Sequence, residues 1–472
     1  MIASADWYGL QDTIAGEVVL PGSPEYDTVR KPAMVRFRDV RPRAVVRCVA
    51  DADVSEVIGF AKRVGLRIAV RSGGHCFAGH SSTDGVVMDV SPMRSVTVTD
   101  GVATVGAGTR LGELYDALDR HGLTIAAGCG PTVGIAGLTL GGGLGILGRR
   151  HGLTCDQLRR AQVVLADGRI LECDERHDAD LFWALRGAGG GTLGVVTSLV
   201  VETVPAPPAT GFHLVWPHTA AASVIEAWQG WAPDAPVELA ASLLVKASRD
   251  ADRQPMVNVF GAMLGVESAT VELLEELVAR AGHDPASTDR VHASYREIKR
   301  YLVDLGDQME GGVSHGSPVE PGPAYSRSEF FRQPLPTGAI AALVDNLVSG
   351  RMPGESRALD FTPWAGAYNR VPQHATAFVH RAERFLLKHE LILDPDASTA
   401  TADAGRRWLN RSWAMVHPWG SRGVYPNFPD PELENAGRAY YGTNLERLIR
   451  VKRKYDPDDV FGIGLAGAPL AD

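Results

Sequence analysis

Apolar residues along the first half of the chain recur in two periods. In "SEVIGFAKRVG", Val57, Phe60, Ala61 and Val64 fall on one face at helical spacing. The run that follows, Leu66 to Val70, is short and apolar and predicts a buried strand. It ends in "RSGGHCFAGH", Arg71 to His80. "GVVMDVS" and "GVATVGAG" predict strands, and "RLGELYDALDRHG" a helix stopped at Gly122. "QVVLADGRILEC" predicts a hairpin around Asp167-Gly168, "DADLFWALRGAGGG" a helix dissolving into glycines, and "LGVVTSLVVETV" a strand.

The proline-rich "VPAPPATG" marks a domain crossing. Beyond it, "FHLVW", "ELAASLLVKA" and "PMVNVFGAML" alternate as strands, while "VELLEELVARAG" and "AIAALVDNLVSG" are amphipathic helices. That mixture predicts an α+β domain, a mostly antiparallel sheet covered by helices, ending near the Trp-rich "RRWLNRSWAMV". The expected boundaries are 1–205, 206–424 and a C-terminal segment 425–472, with helix character in "YYGTNLERLIRVKRKY" and a turn at Asp456-Pro457.

Composition narrows the classes. An apolar content of 45%, a charged content of 22% and a net charge of −9 describe a globular chain without a nucleic-acid footprint. The five cysteines (Cys48, Cys76, Cys129, Cys155, Cys173) lack CxxC spacing, which fits a reducing compartment and no zinc framework. With no basic, apolar leader at the N-terminus, the cytoplasm is the expected location. Gly122 to Gly148 carries no formal charge, yet nine glycines and a proline fall within Gly128–Gly148. Such a stretch is expected to be irregular chain wrapped closely around something, not a membrane span.

Two GxGxxG matches occur, at Gly143–Gly148 and Gly189–Gly194. The first is not followed by an unbroken helix, and the second runs from helix to strand, the reverse of a dinucleotide site. No GxxxxGK[ST] loop is present. Taken together, the glycine segments 71–79, 128–148 and 187–194 suit a flat, polyanionic, nucleotide-like ligand approached by backbone amides. A metal role for His75 with His80 lacks a third ligand at matching spacing, so no metal site is expected.

These residues resemble the flavin-linked oxidases similar to berberine bridge enzyme. The matching segments are "RPRAVVRCVADADVSEVIGFAKRVGLRIAVRSGGH", "GPTVGIAGLTLGGGLGILGRRHGLTCDQL", "LFWALRGAGGGTLGVVTSL", "HATAFVHRAERF", "YPNF" and "YYGTNLERLIRVKRKYDPDDVF". The resemblance implies a two-domain vanillyl-alcohol oxidase fold, with a PCMH-type FAD-binding domain over roughly residues 37–207 and an antiparallel-sheet substrate domain. It implies that Ser72, Gly73 and Gly74 cradle the FAD pyrophosphate beside Arg71, and that His75 is bonded covalently to the flavin. It adds Thr132, Val133, Gly137, Thr139, Gly142, Gly194, Val195 and Val196 to the cofactor-binding set. Relatives carry a second flavin bond from a cysteine directly before "PTVG". Here Gly130 holds that place and Cys129 lies one residue earlier, so a second bond and an inert thiol both stay open. The ending "FGIGLAGAPL" also departs from the more polar family pattern.

The activity implied is FAD-dependent removal of a hydride from an alcohol, sugar or amine, with O2 reduced to H2O2. A dehydrogenase of the same fold with another acceptor is the alternative. The candidate base is Tyr425, followed by Asn427 in "YPNF"; Tyr368, placed on a strand facing the flavin, is a second. Arg370 stands near the place of the plant enzymes' glutamate, and Arg370 or His417 could supply a cation to a phenolate. Trp364, Trp413 and Trp419 are candidate linings of a substrate cleft. The expected partners are a small-molecule substrate and O2, with no nucleic acid and no membrane, in a monomer or small homo-oligomer.

Overall fold

The computed structural model describes residues 4–309 and 322–462. The helix Asp51–Val64 starts where the Asp53 carboxylate accepts the Val49 and Ala50 amides, and it stops at Gly65, whose φ is +68°. Its apolar face packs beneath a four-stranded sheet ordered Glu17–Val19, Ala44–Arg47, Val86–Asp89, Ile68–Arg71. The last three strands are parallel, so the end of Ile68–Arg71 delivers the Ser72–Cys76 corner at the sheet's carboxyl edge. A five-stranded antiparallel sheet lies beside it, ordered Val96–Thr99, Val102–Gly106, Val195–Glu202, Leu158–Val164, Ile170–Cys173.

The third sheet has seven antiparallel strands, ordered Ser287–Ala293, Ala209–Pro217, Met256–Leu264, Leu239–Ala247, Glu355–Pro363, Phe385–Leu393, Ala324–Phe331. Strand alternation sorts its residues onto two faces. Leu243, Val245, Leu359, Phe361, Leu387 and Leu391 pack against the helices Ala221–Trp231, Glu267–Ala281, Thr337–Val348 and Thr399–Val416. Ser328, Asp360, Lys388 and Glu390 occupy the opposite face.

Past Val424 the chain returns to the first apolar cluster, where Tyr440, Tyr441, Leu448, Val451, Tyr455 and Phe461 are buried. There the Tyr441 hydroxyl donates to Ala188 O (2.7 Å) and Lys452 Nζ to Thr192 O (2.7 Å), so the tail pins the glycine turn 187–194. The altered C-terminal ending lies outside the described residues from position 463 onward.

Two local expectations change. The glycine stretch contains a short helix, Ile135–Leu140, entered at Gly134 and left at Gly141. Tyr368 is not on a strand: it sits in the single-turn helix Gly366–Asn369. The strand ends at Pro363 because Ala365 (φ +79°) and Gly366 (φ +65°) turn the backbone sharply. A Cβ on Gly366 would lie 2.3 Å from Arg149 O.

Two histidines are buried as neutral rings. His380 Nε2 bonds Tyr440 O (3.0 Å), and His389 Nδ1 bonds Ser412 Oγ (2.9 Å). Desolvation pushes both down to about 3. Unfolded imidazoles titrate near ~6.5, so below that pH the unfolded chain binds protons that the folded one refuses. Stability is therefore present above pH ~6.5 and falls toward pH 3 by up to ~1.4 kcal/mol per pH unit for each ring. Urea midpoints should drop between pH 7 and pH 5, less steeply in His389→Gln.

Candidate functional site

Strand Ile68–Arg71 turns through two glycines because two backbones cross there. A Cβ on Gly73 would stand 2.3 Å from Gly134 N, and Gly74 has φ +73°. Ser72 Oγ donates to Ala107 O (2.7 Å), fixing the corner. Among the described residues, no acceptor faces the backbone N–H groups of Ser72, Gly73, Gly74, His75 and Cys76. Five successive unpaired amides form a concave donor array suited to phosphate oxygens. His75 Nε2 lies 3.0 Å from Thr132 Oγ1, and burial holds the imidazole below its usual range.

The other expected cofactor residues divide by what they touch. Arg71 does not point at this corner: its guanidinium donates to Val29 O (2.8 Å), Arg30 O (2.9 Å) and Ser81 O (3.0 Å). Val133 packs against the first apolar cluster, and Val195 and Val196 are buried in it, so they offer main chain only. Gly194 opens their strand, where a Cβ would meet the Val163 side chain at 2.7 Å. Gly137 is exposed, with nothing within 4 Å of a built Cβ. The Thr139 hydroxyl is buried with no partner among the described residues, as is that of Thr197. A cradle of free amides, open glycine and orphaned hydroxyl fits an extended dinucleotide.

Cys129 faces elsewhere. Its Sγ is 4.0 Å from Lys299 Nζ. Lys299, almost fully buried on the helix Tyr295–Met309, donates to Ala127 O (2.8 Å), Gly128 O (3.0 Å) and the Tyr115 hydroxyl (3.0 Å). Arg149 crosses the same seam in the other direction, donating to the carbonyls of Pro233, Ala235, Pro236 and Leu239.

Tyr425 lies over the glycine run. Its phenol oxygen accepts from Gly143 N (2.8 Å), Leu144 N (3.2 Å) and Asn427 Nδ2 (3.1 Å). Asn427 is itself anchored on Leu138 O (2.8 Å). Three donors converge on one oxygen, and among the described residues none of its bonds is to an acceptor. That arrangement suits negative charge. Burial nevertheless pushes the phenol well above its ordinary range, the donors from Asn427 and Gly143 pulling the other way. Phe428 (centroids 5.1 Å apart), Trp364 (6.1 Å), Phe378 (6.1 Å) and Phe330 (6.4 Å) surround the ring.

Tyr368 is pinned instead. Its hydroxyl donates to Gly145 O (3.2 Å) and accepts from Gly145 N (3.2 Å), and its ring stacks on Trp364 at 4.4 Å. Desolvation raises it to about 12. A Cβ on Gly148 would fall 1.7 Å from this hydroxyl. Gly148→Ala should expel the ring and cost ~1–3 kcal/mol, read as a lower thermal midpoint.

Neither expected cation serves a tyrosine. Arg370 is exposed, and His417 Nδ1 bonds the buried Glu329 (2.7 Å). Of the tryptophans, Trp364 is buried beside Tyr425, whereas Trp413 stacks on His417 and Trp419 is 41% exposed.

A charged group on the sheet was not anticipated. Lys388 Nζ lies between Glu390 (3.2 Å) and Asp360 (3.4 Å), and 5.3 Å over the Phe428 ring. Its signal was charges set into two otherwise apolar strands, Asp360 in "RALDFTP" and Lys388 and Glu390 in "FLLKHELIL". Asp156 and Arg381 pair beside Tyr368 and Phe378, at 2.7 and 2.8 Å, both nearly fully buried. Among the described residues, no group of three or more His, Cys, Asp or Glu could hold a metal ion, and no helix is long and apolar enough to cross a membrane.

A family model described as an FAD binding domain matches residues 42–174, and one described as berberine and berberine like matches residues 424–464. An uncharacterized FAD-linked oxidoreductase of Bacillus subtilis is 32% identical over 453 residues, covering 95% of this chain and 97% of its own. Glucooligosaccharide oxidase of Sarocladium strictum is 30% identical over 458 residues, covering 92% and 88%. Among solved structures, BBE-like 1 of Physcomitrella patens superposes with a TM-score of 0.84 at 28% identity, covering 98% of each chain. A glucooligosaccharide oxidase from Acremonium strictum, described with a 6-S-cysteinyl, 8α-N1-histidyl FAD, gives 0.83 at 27%, covering 98% of this chain and 100% of its own.

Proposed function

Because the chain belongs to the berberine bridge enzyme-like family of FAD-linked oxidoreductases, we propose that it oxidises a hydroxyl-bearing small molecule, sugars foremost, with O2 as acceptor. The fold is the family's two-domain PCMH-type α+β architecture, and the chain is an FAD-dependent oxidoreductase. The observation that carries the reading is the pairing of two features: the free amides of Ser72–Cys76 ending in His75, and the donor-crowded oxygen of Tyr425.

Bound FAD supplies a two-electron acceptor. The amides of residues 72–76 would hold its diphosphate, and His75 would carry the flavin covalently. Tyr425, as phenolate, takes the proton from the substrate hydroxyl, while the amides of Gly143 and Leu144 and the Asn427 side chain hold the negative oxygen. Asp360, Lys388 and Glu390 offer carboxylate acceptors and an ammonium donor to further hydroxyls. Phe428 and Phe330 keep water from the reacting atoms. The oligosaccharide oxidases among the relatives favour a sugar over an amine. One bond, through His75, is the linkage this geometry favours, since Cys129 Sγ is turned toward Lys299.

Acid-precipitated protein should stay yellow, with the added flavin mass on the peptide spanning His75. Substrate oxidation in an oxygen electrode should yield one H2O2 per molecule consumed. Peroxide far below that ratio would assign the electrons to another acceptor, and a white precipitate would remove the covalent bond.

A further inference from the structure

We infer that Thr132 is the positioning residue that selects which ring nitrogen of His75 bonds the flavin, by accepting Nε2–H at its Oγ1 and leaving the Nδ1 lone pair free. The inference rests on the reading that His75 carries the flavin.

A neutral imidazole has one N–H donor and one lone-pair nitrogen, and the partner of one nitrogen decides the role of the other. Here Nε2 is 3.0 Å from Thr132 Oγ1. Among the described residues, Nδ1 has no donor or acceptor against it. The same glycine crossing that shapes the corner fixes the pair. A Cβ on Gly73 would lie 3.0 Å from Thr132 O, so the two loops approach each other backbone to backbone here. Burial, with Arg110 nearby, keeps the ring neutral and its lone pair available at pH 7.

Attachment balances with O2 as the named oxidant. A bond forms between Nδ1 and the flavin ring methyl, and one methyl C–H bond breaks, its hydrogen leaving as a proton. The electron pair released passes to the ring system. Once Nδ1 is alkylated, the proton on Nε2 becomes acidic and leaves along its hydrogen bond to Thr132, which is exposed and can pass it to water. O2 takes the two electrons and two protons as H2O2, restoring oxidised flavin.

The test compares wild type, Thr132→Val, Thr132→Ser and His75→Ala after aerobic incubation with FAD. Flavin retained on acid precipitation gives the extent, and NMR of the isolated flavin peptide identifies the alkylated nitrogen. Wild type and Thr132→Ser should link at Nδ1. Thr132→Val should bind FAD yet link at least tenfold more slowly, or link at Nε2. Thr132→Ala must behave as valine does and replaces it if valine disturbs folding. Linkage of the valine or alanine variant at Nδ1 at the wild-type rate overturns the role of Thr132. Complete release of flavin from wild type overturns the parent reading instead, and His75→Ala marks that baseline.

Discussion

Tyr425→Phe should lower kcat/KM by about two to four orders of magnitude, the range for removal of a positioned base, while flavin stays bound. The substitution deletes one oxygen and leaves the aromatic cage intact, so Phe428, Trp364, Phe378 and Phe330 keep their packing. Left behind are the Gly143 and Leu144 amides, buried without an acceptor, and a modest stability loss of ~1–3 kcal/mol follows. The wild-type pH profile gives the same assignment a second reading. Burial raises the phenol above its ordinary range, so at neutral pH only a small fraction is phenolate. The rate should climb with pH, up to tenfold per unit, through pH 9, and the climb should vanish in the phenylalanine variant. Stopped-flow reduction of the flavin under anaerobic conditions measures both. Equal reduction rates in the two proteins would remove Tyr425 from the chemistry.

Arg381→Leu should be the most damaging single change to stability. Arg381 grips both Asp156 oxygens and also donates to Thr376 Oγ1 (3.0 Å) and Tyr368 O (3.2 Å). Without it, a carboxylate is left buried and unpaired, which costs on the order of 3–5 kcal/mol. Urea denaturation followed by intrinsic fluorescence should show the loss. Adding Asp156→Asn should restore part of it, because the orphaned charge is then gone. A single variant within ~1 kcal/mol of wild type would show that the pair is not what ties these segments together.

How much of this the sequence could reveal depended on distance along the chain. The corner at Ser72–His75 is legible because an apolar strand and two glycines are contiguous, and the α+β class is legible from alternation and amphipathic helices. Tyr368 was misplaced because nothing local announces that Ala365 adopts φ +79°. The strand placement is what the family resemblance implies for "WAGAYNRV". Asp360 and Lys388 pair across two strands 28 positions apart, and Asp156 meets Arg381 across 225. Neither pairing is visible within one segment. The tandem glycines 141–143 were read as lining a ligand. In the fold Gly141 and Gly142 give way to Asn427 and the Tyr425 ring, so much of their smallness serves the contact with the C-terminal segment.

The two cations at that seam have a mechanical consequence. Lys299 sits in carbonyls of the glycine loop, and Arg149 sits in four carbonyls of the opposing lobe, each without a carboxylate to travel with it. Parting the lobes would strand both charges at once before water could reach them. Each cation thereby ties a helix of one lobe to main-chain carbonyls of the other.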